Sequence, residues 1–463
     1  MRRTIPKQRR LFTPLVEDAL SEELVEIDEL IRLHPEWEEW ILEDLTNRRR
    51  GRARRGREGM GPDLVLRLQF LKHRLDVSLR KLSKIVNDSV GFREFLGLGV
   101  EDRAPKRSTM QDNLAKVRPE TWGKILHSHV QSQELREFES GDKQRVDATV
   151  VKANIHPPSD SSLLWDGVRT LTRLMSQARQ LFPEVEFEDR SKQAKRLQSK
   201  IYWARRKEQR RPAYEALLKE VRFVDTQAER VITSLETVRT RSVQDGVLRD
   251  ALASELRRYR GLTARVIDQT ERRVVRGETV PPGEKLYSIF EPETDMIVKT
   301  KNRPPEFGHK VTFTMGVHFV LDCVVERGNP ADVTLAVRQV ERQTALRGKA
   351  PEQVAFDGGY ASAANLEAIK ALGAERCAFS KGRGLTPVDM AGSRRTFGRL
   401  RNFRAGIEGK ISWLKRDFGL GRCTWKSWPR FSSYVWSACF AANLSKLARL
   451  RLSATAAPAK RAA

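Results

Sequence analysis

The chain is poor in the residues that build covalent or soft-metal frameworks. Its four cysteines, Cys323, Cys377, Cys423 and Cys439, stand singly and far apart in 463 residues. That spacing spells neither a Cys-x2-Cys zinc pair nor a disulfide scaffold, and it fits buried, reduced thiols of a cytosolic protein. The seven histidines are equally scattered. His127 and His129, two apart, fall on different faces of a helix, which argues against a shared metal. No run reaches the ~18–20 apolar residues that a membrane-spanning helix needs, the longest being Trp436 to Leu444, so no membrane partner is expected. The basic start MRRTIPKQRR has no apolar stretch behind it, so no secretory signal is expected either. With 20 Pro, 29 Gly and 39% apolar residues, the composition is that of a folded protein and not of a disordered basic tail.

What the chain has in excess is positive charge. Its 86 Lys and Arg against 60 Asp and Glu leave a formal net charge of +26, with a pI near 10.2. Lys and Arg on a folded surface gain free energy by releasing counterions from phosphate backbones, so the excess points to nucleic acid as partner.

The pattern along the chain alternates between blocks. Residues 20–46 are acidic and helical, with Leu24, Ile27, Leu30 and Ile31 on one stripe, and RRRGRARRGR at 48–57 follows as a glycine-broken basic linker. A second helical block starts at Pro62, with Leu64, Leu68, Leu71 and Leu75 in register; Ser78 then opens SLRKLSKIV in N-cap fashion. A further short helix, MQDNLAKV, starts after Lys106-Arg107-Ser108-Thr109, and several short helices with basic connections describe a helix-turn-helix-like reader of DNA. The period turns strand-like in QRVDATVV from Gln144, then helical and densely charged from Asp160 to about Gly277, where Pro212 predicts a break. Strands HKVTFTMG and FVLDCVVE come next, closed by the turn Gly328-Asn329-Pro330. After them the pattern predicts helix 332–346, strand 353–357, helix 361–372, strand 375–380 and helices from about 399 to 450. The tail from 451 lacks periodicity and is expected to be disordered. The expected domains are thus 1–57 (helical segment and linker), 58–140 (helical, DNA-binding) and 141–450 (α/β, with a helical insertion at about 155–304), then the tail 451–463.

Three carboxylates stand out by position. Asp147 interrupts an apolar strand, where an ionised carboxylate is costly unless a metal or a cation compensates it. Asp357 ends an apolar strand and is followed by Gly358-Gly359, which lets backbone and substrate approach closely; in open α/β sheets ligands bind at the carboxyl ends of strands. Glu408 lies on a predicted helix that carries Arg404 at i−4 and Lys415 at i+7. Gathered beside so positive a surface, carboxylates suit phosphodiester chemistry. Two divalent ions about 3.5–4 Å apart can activate a water or a 3′-hydroxyl and stabilise the leaving oxygen, and Mg²⁺ takes hard oxygen ligands. Lys106 and Arg107, ahead of a helix N-terminus, are a natural phosphate contact. Asp160 or Ser161 reads as a helix cap, and Trp413, Trp425, Trp428 and Trp436 read mainly as packing, with base stacking as the functional alternative.

Four segments, taken together, resemble the DDE transposases of bacterial insertion sequences, most closely the ISNCY-type group. They are MGPDLVLRLQFLKHRLDVSLRKLSKIVNDSVGFREFLGL; RVDATVVKANIHPPSDSSLLWDGVR; EFGHKVTFTMG with VVERGNPADVTL; and VAFDGGYAS followed by RAGIEGKISWLKRDFGLGRC, spanning about residues 60 to 445. The resemblance implies a ribonuclease-H-like catalytic core with a helical insertion, an N-terminal all-α domain, and an acidic triad of Asp147, Asp357 and Glu408 holding two Mg²⁺ ions, for which Mn²⁺ can substitute. Related transposases carry a Tyr-x2-Arg-x3-Glu-x6-Lys signature; Arg404, Glu408 and Lys415 fit it, whereas Arg401 stands at the tyrosine position. The implied activity is binding of an element's terminal inverted repeats, cleavage, and transfer of the 3′ ends to target DNA. Double-stranded DNA would then be the partner, with a homodimer or higher oligomer in the synaptic complex and a cytoplasmic, nucleoid-associated location in a bacterium. A ribonuclease-H-like nuclease that does not join ends, or an inactive DNA-binding derivative, are the alternatives.

Overall fold

The structure is a computed structural model that describes residues 19–46, 59–99, 101–298 and 304–459. The basic linker expected at 48–57 lies outside the described residues. The chain divides into two compact units, one of residues 1–152 with 309–463, the other of residues 153–308.

The first unit opens with helices whose ends are written in the sequence. They are α1 (Ala19–Leu33), α2 (Pro35–Thr46), α3 (Pro62–Arg74), α4 (Leu79–Asp88), α5 (Val90–Phe95), α6 (Arg107–Leu114), α7 (Pro119–Gln131) and α8 (Gln133–Arg136). Proline begins α2, α3 and α7, where its missing N–H has no helical partner to lose. The hydroxyl of Ser78 accepts from the Lys81 N–H and so caps α4 as its position predicts.

Six strands follow: β1 (Lys143–Lys152), β2 (Asp295–Ile297), β3 (Glu306–Met315), β4 (Val320–Val325), β5 (Gln353–Phe356) and β6 (Arg376–Phe379). β1 lies between β3 and β5, β6 lies beyond β5, and β4 pairs antiparallel with β3. The β1–β5 and β5–β6 pairs are parallel, with Val146 opposite Phe356 and Phe356 opposite Phe379. The sheet is therefore mixed. Parallel pairs need crossovers, and α13 (Ala336–Arg347) and α14 (Ala363–Ala371) supply them ahead of β5 and β6. After β6 come α15 (Pro387–Ala391), α16 (Arg394–Ala405), α17 (Ile407–Asp417) and α18 (Trp428–Ala459).

α18 is buried over most of its length through Phe431, Tyr434, Val435, Phe440 and Leu444, together with small polar residues such as Ser433, Ser437 and Asn443. It shares one core with Ile27, Trp37, Phe70 and Trp122 of the N-terminal helices and with Phe313 and Val320 of the strands. Consequently the helices expected as domains separate from the α/β part pack into it as one unit. The tail expected to be disordered from 451 is helical to Ala459, since its small residues, alanine above all, continue the last turns of α18 without a breaker before Pro458; residues 460–463 lie outside the described residues. All four cysteines are buried free thiols.

The second unit is helical. It holds α9 (Asp160–Leu181), α10 (Ser191–Trp203), α11 (Lys207–Thr237) and α12 (Val243–Thr270), and its own core is formed by residues such as Leu164, Leu171, Leu217, Val224 and Leu256. At its end β2 pairs with residues 306–308 of β3. The break attributed to Pro212 falls earlier, between Trp203 and Lys207, and the proline sits inside α11. Near a helix start the missing N–H forfeits a single hydrogen bond, which a helix of this length absorbs. Ser159, not Asp160 or Ser161, caps α9, with Ser162 completing a reciprocal box. Asp160 instead receives Arg273 at 2.8 Å.

Candidate active site

The register of the parallel strands builds the site. Because Val146 pairs with Phe356, the next residues, Asp147 and Asp357, leave adjacent strands side by side, about 4.8 Å apart along the hydrogen-bonding direction. α16 and α17 then bring Arg404 and Glu408 to the same place. The Arg404 guanidinium binds all three carboxylates: Nη2 lies 2.9 Å from Asp147 Oδ2 and 3.5 Å from Asp357 Oδ1, and Nη1 lies 3.2 Å from Glu408 Oε1. The Arg404 and Asp147 side chains are only 13% and 17% exposed, while Asp357 is 44% and Glu408 72% exposed. The site is thus deep on the strand side and open on the helix side.

The two aspartates differ in their protonation. Burial raises the Asp147 carboxyl to about 6, against the pull of Arg404 and the Ala148 N–H, with Asp357 and Asp332 adding repulsion. Burial also acts on Asp357, but the Ser380 hydroxyl, which donates to Oδ1 at 2.7 Å, the Gly358 N–H, Arg404 and Lys381 together outweigh it, and this carboxyl lies below its usual value. Neighbouring carboxylates with separated affinities for a proton are an arrangement typical of reactive sites.

Lys415 reaches back to β1, donating from Nζ to the Val150 carbonyl at 2.9 Å, and so ties the helix that carries Glu408 to the strand that carries Asp147. Arg401, at the position where related transposases have tyrosine, is exposed. Lys106 and Arg107 are exposed at the start of α6; no described contact joins them to the carboxylates. Trp413 packs edge-on to Phe418 and Trp425 to Tyr434, as core residues do.

Sequence reasoning missed Asp332, Lys310, Ser380 and Tyr360. Asp332 accepts from Lys310 Nζ at 2.9 Å and lies over the glycine turn, where a Cβ on Gly359 would come within 2.9 Å of its Oδ2. A Cβ on Gly358 would likewise meet Lys381 at 2.7 Å, so both glycines are required by close approach. The Tyr360 hydroxyl is buried without a hydrogen-bond partner, and burial, then Asp332 and Asp147, hold it as the neutral phenol. The GNPAD segment was the available signal for Asp332: a turn followed by a carboxylate just before a helix.

Among the described residues no group of three or more His, Cys, Asp or Glu side chains forms a metal-coordinating cluster. The donor chemistry nevertheless fits a hard divalent cation. Asp147 and Asp357 turn carboxylate oxygens toward one point of positive charge, and Asp147, buried and incompletely neutralised by Arg404, is the group a cation would relieve most.

Comparison with known proteins agrees with this architecture. A family described as Transposase DDE domain matches residues 260–444, which include Asp357, Arg404, Glu408 and Lys415 but not Asp147. A second, described as Transposase domain (DUF772), matches residues 16–116 in the N-terminal helices. No curated protein and no solved structure matches the chain. No helix among the described residues is long and apolar enough to cross a membrane. With a transposase domain in its N-terminal helices and a DDE domain reaching from α12 to α18, the chain belongs to the DDE transposases of insertion sequences.

Proposed function

We propose that the protein binds the terminal inverted repeats of its element, cleaves the phosphodiester bond at each end and transfers the freed 3′-hydroxyls to target DNA, and that it is of the ISNCY type. The observation that carries this reading is the convergence of Asp147, Asp357 and Glu408 on the single guanidinium of Arg404.

In this reading the mixed sheet is a ribonuclease-H-like core, residues 153–308 are an insertion between its first two strands, and the N-terminal helices, with Lys106 and Arg107, read DNA. Asp147, Asp357 and Glu408 would hold Mg²⁺ or Mn²⁺. The ions, when bound, polarise the scissile phosphate and the attacking oxygen. The protein's own contribution is positioning. Ser380 fixes the rotamer of Asp357 by donating to its Oδ1. Arg404 keeps mutually repelling carboxylates together in the metal-free protein, and its charge is suited to a non-bridging phosphate oxygen once the carboxylates are engaged elsewhere. Lys415 holds α17 against β1 so that Glu408 stays over the strand ends. Two element ends must be handled together, which implies at least a dimer in the assembled complex.

The test is a strand-transfer assay with DNA carrying the element's terminal repeats. Asp357→Asn abolishes cleavage while repeat binding stays within about threefold of wild type. Undiminished cleavage by that variant refutes the assignment, and cleavage without joining by the wild type identifies a nuclease.

A further inference from the structure

A second cluster of charge lies beside the carboxylates, and it is of the opposite sign. Strand alternation puts Lys143, Arg145 and Asp147 on one face of β1. Phe403, the neighbour of Arg404, packs on that face, with Lys143 Nζ and Arg145 Cζ each 4.5 Å from its ring centroid. Arg145 is 5% exposed. Its Nη1 donates to the Phe403 carbonyl at 2.7 Å and its Nη2 reaches the Val317 carbonyl at 3.5 Å, while its buried Nε has no hydrogen-bond partner. Lys410, on α17 two residues beyond Glu408, donates from Nζ to the same Val317 carbonyl. Two cations thus share one neutral acceptor, and Lys446 of α18 adds its charge to theirs.

Among the described residues none of the three cations has a carboxylate within ion-pair distance. The charge of Glu139 offsets those of Arg145 and Lys410 in part, but its oxygens accept from the backbone N–H groups of Gly141 and His318 and from neither cation. A buried cation such as Arg145 is ordinarily paired directly, because its desolvation is otherwise compensated only in part. The cluster also opens outward, since Val317, whose carbonyl it surrounds, is 44% exposed.

We infer that Arg145, Lys410 and Lys446 form a phosphate-binding site, distinct from the carboxylate site, for a backbone phosphate of bound DNA. This rests on the proposed function for the identity of the ligand. The placement favours DNA over a free anion. Arg145 and Asp147 are two residues apart on one strand, about 7 Å, which is about two nucleotide rises along a DNA strand. A strand whose scissile phosphate lies at Asp147 therefore carries another phosphate to this cluster. The Arg145 fork gives the site a fixed charge, because the Phe403 and Val317 carbonyls hold its two Nη groups in place.

The experiment uses the full chain with two probes. The first is a duplex containing the element's terminal repeat, with affinity measured by fluorescence anisotropy from 50 to 300 mM KCl. Lys410→Met and Lys446→Met each weaken binding at every salt concentration and lower the slope of log K against log salt by about one, while Lys410→Arg restores the slope. The second probe is inorganic phosphate at fixed ionic strength. It raises the thermal midpoint of the wild type relative to chloride, and the shift shrinks at least twofold in Lys410→Met. Slopes equal to wild type in both methionine variants overturn the inference for DNA. A phosphate shift that persists undiminished in Lys410→Met overturns the site itself. If the phosphate shift behaves as expected but the wild type does not bind the repeat, the site stands as an anion site and the transposase reading fails, so the two failures are separable.

Discussion

At the scale of single residues, Asp147 carries the strongest tension in the site. Its carboxyl is raised to about 6 by burial, from the ordinary aspartate value of 3.8, even with Arg404 at 2.9 Å. Between those two values the folded protein binds a proton that the unfolded chain has released. The contribution of Asp147 to stability therefore falls as pH rises from about 4 to about 6 and is constant above, a difference of order 2–3 kcal/mol at full effect. A divalent cation competes with that proton. Stabilisation of the protein by Mg²⁺ or Mn²⁺, read as a shift of the thermal midpoint, is expected to be small at pH 5 and to grow to a plateau by about pH 7.5. In Asp147→Asn the shift becomes small and pH-independent. An equal shift at pH 5 and 7.5 in the wild type would contradict the assignment of Asp147 as a ligand. Lys410 shows the converse case. Burial, then Arg145, lowers its ammonium to about 7, so the folded state bears the cost of a desolvated charge below pH 7, and the cost fades as pH rises toward the unfolded value near 10.5. Lys410→Met is accordingly expected to be more stable than wild type by one to a few kcal/mol at pH 6 in chloride, with the gap closing by about pH 10 in urea unfolding.

At the scale of elements, the strands and helices were readable because each has its own period or punctuation. QRVDATVV is β-branched and lies within β1, and Pro62 and Ser78 mark helix starts that the structure keeps. Asp147, Asp357, Arg404 and Glu408 could be nominated one by one, since a carboxylate in an apolar strand or at a strand end is conspicuous locally. Their meeting could not be nominated, because it depends on the Val146–Phe356 register, set by pairing across the 153–308 insertion. The same holds for Asp332 and Ser380, which become neighbours of the site only through the positions of β3 and β6. Another long-range feature is the side chain of Asn443 on α18, which mimics a strand partner for β4: its Oδ1 accepts from the Val320 N–H at 3.0 Å and its Nδ2 donates to the Val320 carbonyl at 2.8 Å. Asn443→Ala leaves both buried backbone groups unsatisfied and is expected to cost about 2–4 kcal/mol in denaturant unfolding. A cost under 0.5 kcal/mol would mean that the strand end finds water or another partner. Gly359→Ala acts on a different element, the turn after β5. With a Cβ 2.9 Å from Asp332 Oδ2, the variant is expected to lose about 1–3 kcal/mol, together with most cleavage activity, as the turn moves Asp357.

At the scale of the whole molecule, the net charge of +26 acts differently on the two steps of the proposed reaction. In the proposed function, association with DNA would draw on cations from many places, among them Lys106 and Arg107 at the start of α6 and the proposed Arg145–Lys410–Lys446 site, and each phosphate contact releases condensed counterions. Affinity therefore falls as a high power of salt concentration. Chemistry on the bound complex depends instead on a few groups at contact distance, Arg404 at 2.9–3.5 Å from its carboxylates among them. At such separations within a partly buried site, mobile ions with a Debye length of about 10 Å at 0.1 M screen little. Raising KCl from 50 to 200 mM is thus expected to weaken repeat binding by about a thousandfold or more, if six or more phosphates are contacted. The single-turnover cleavage rate at saturating DNA changes by less than about threefold over the same range. Binding and single-turnover rates measured on the same preparation separate the two effects. A cleavage rate that falls in parallel with affinity would mean that screened, long-range charge, and not the contact geometry around Arg404, sets the barrier.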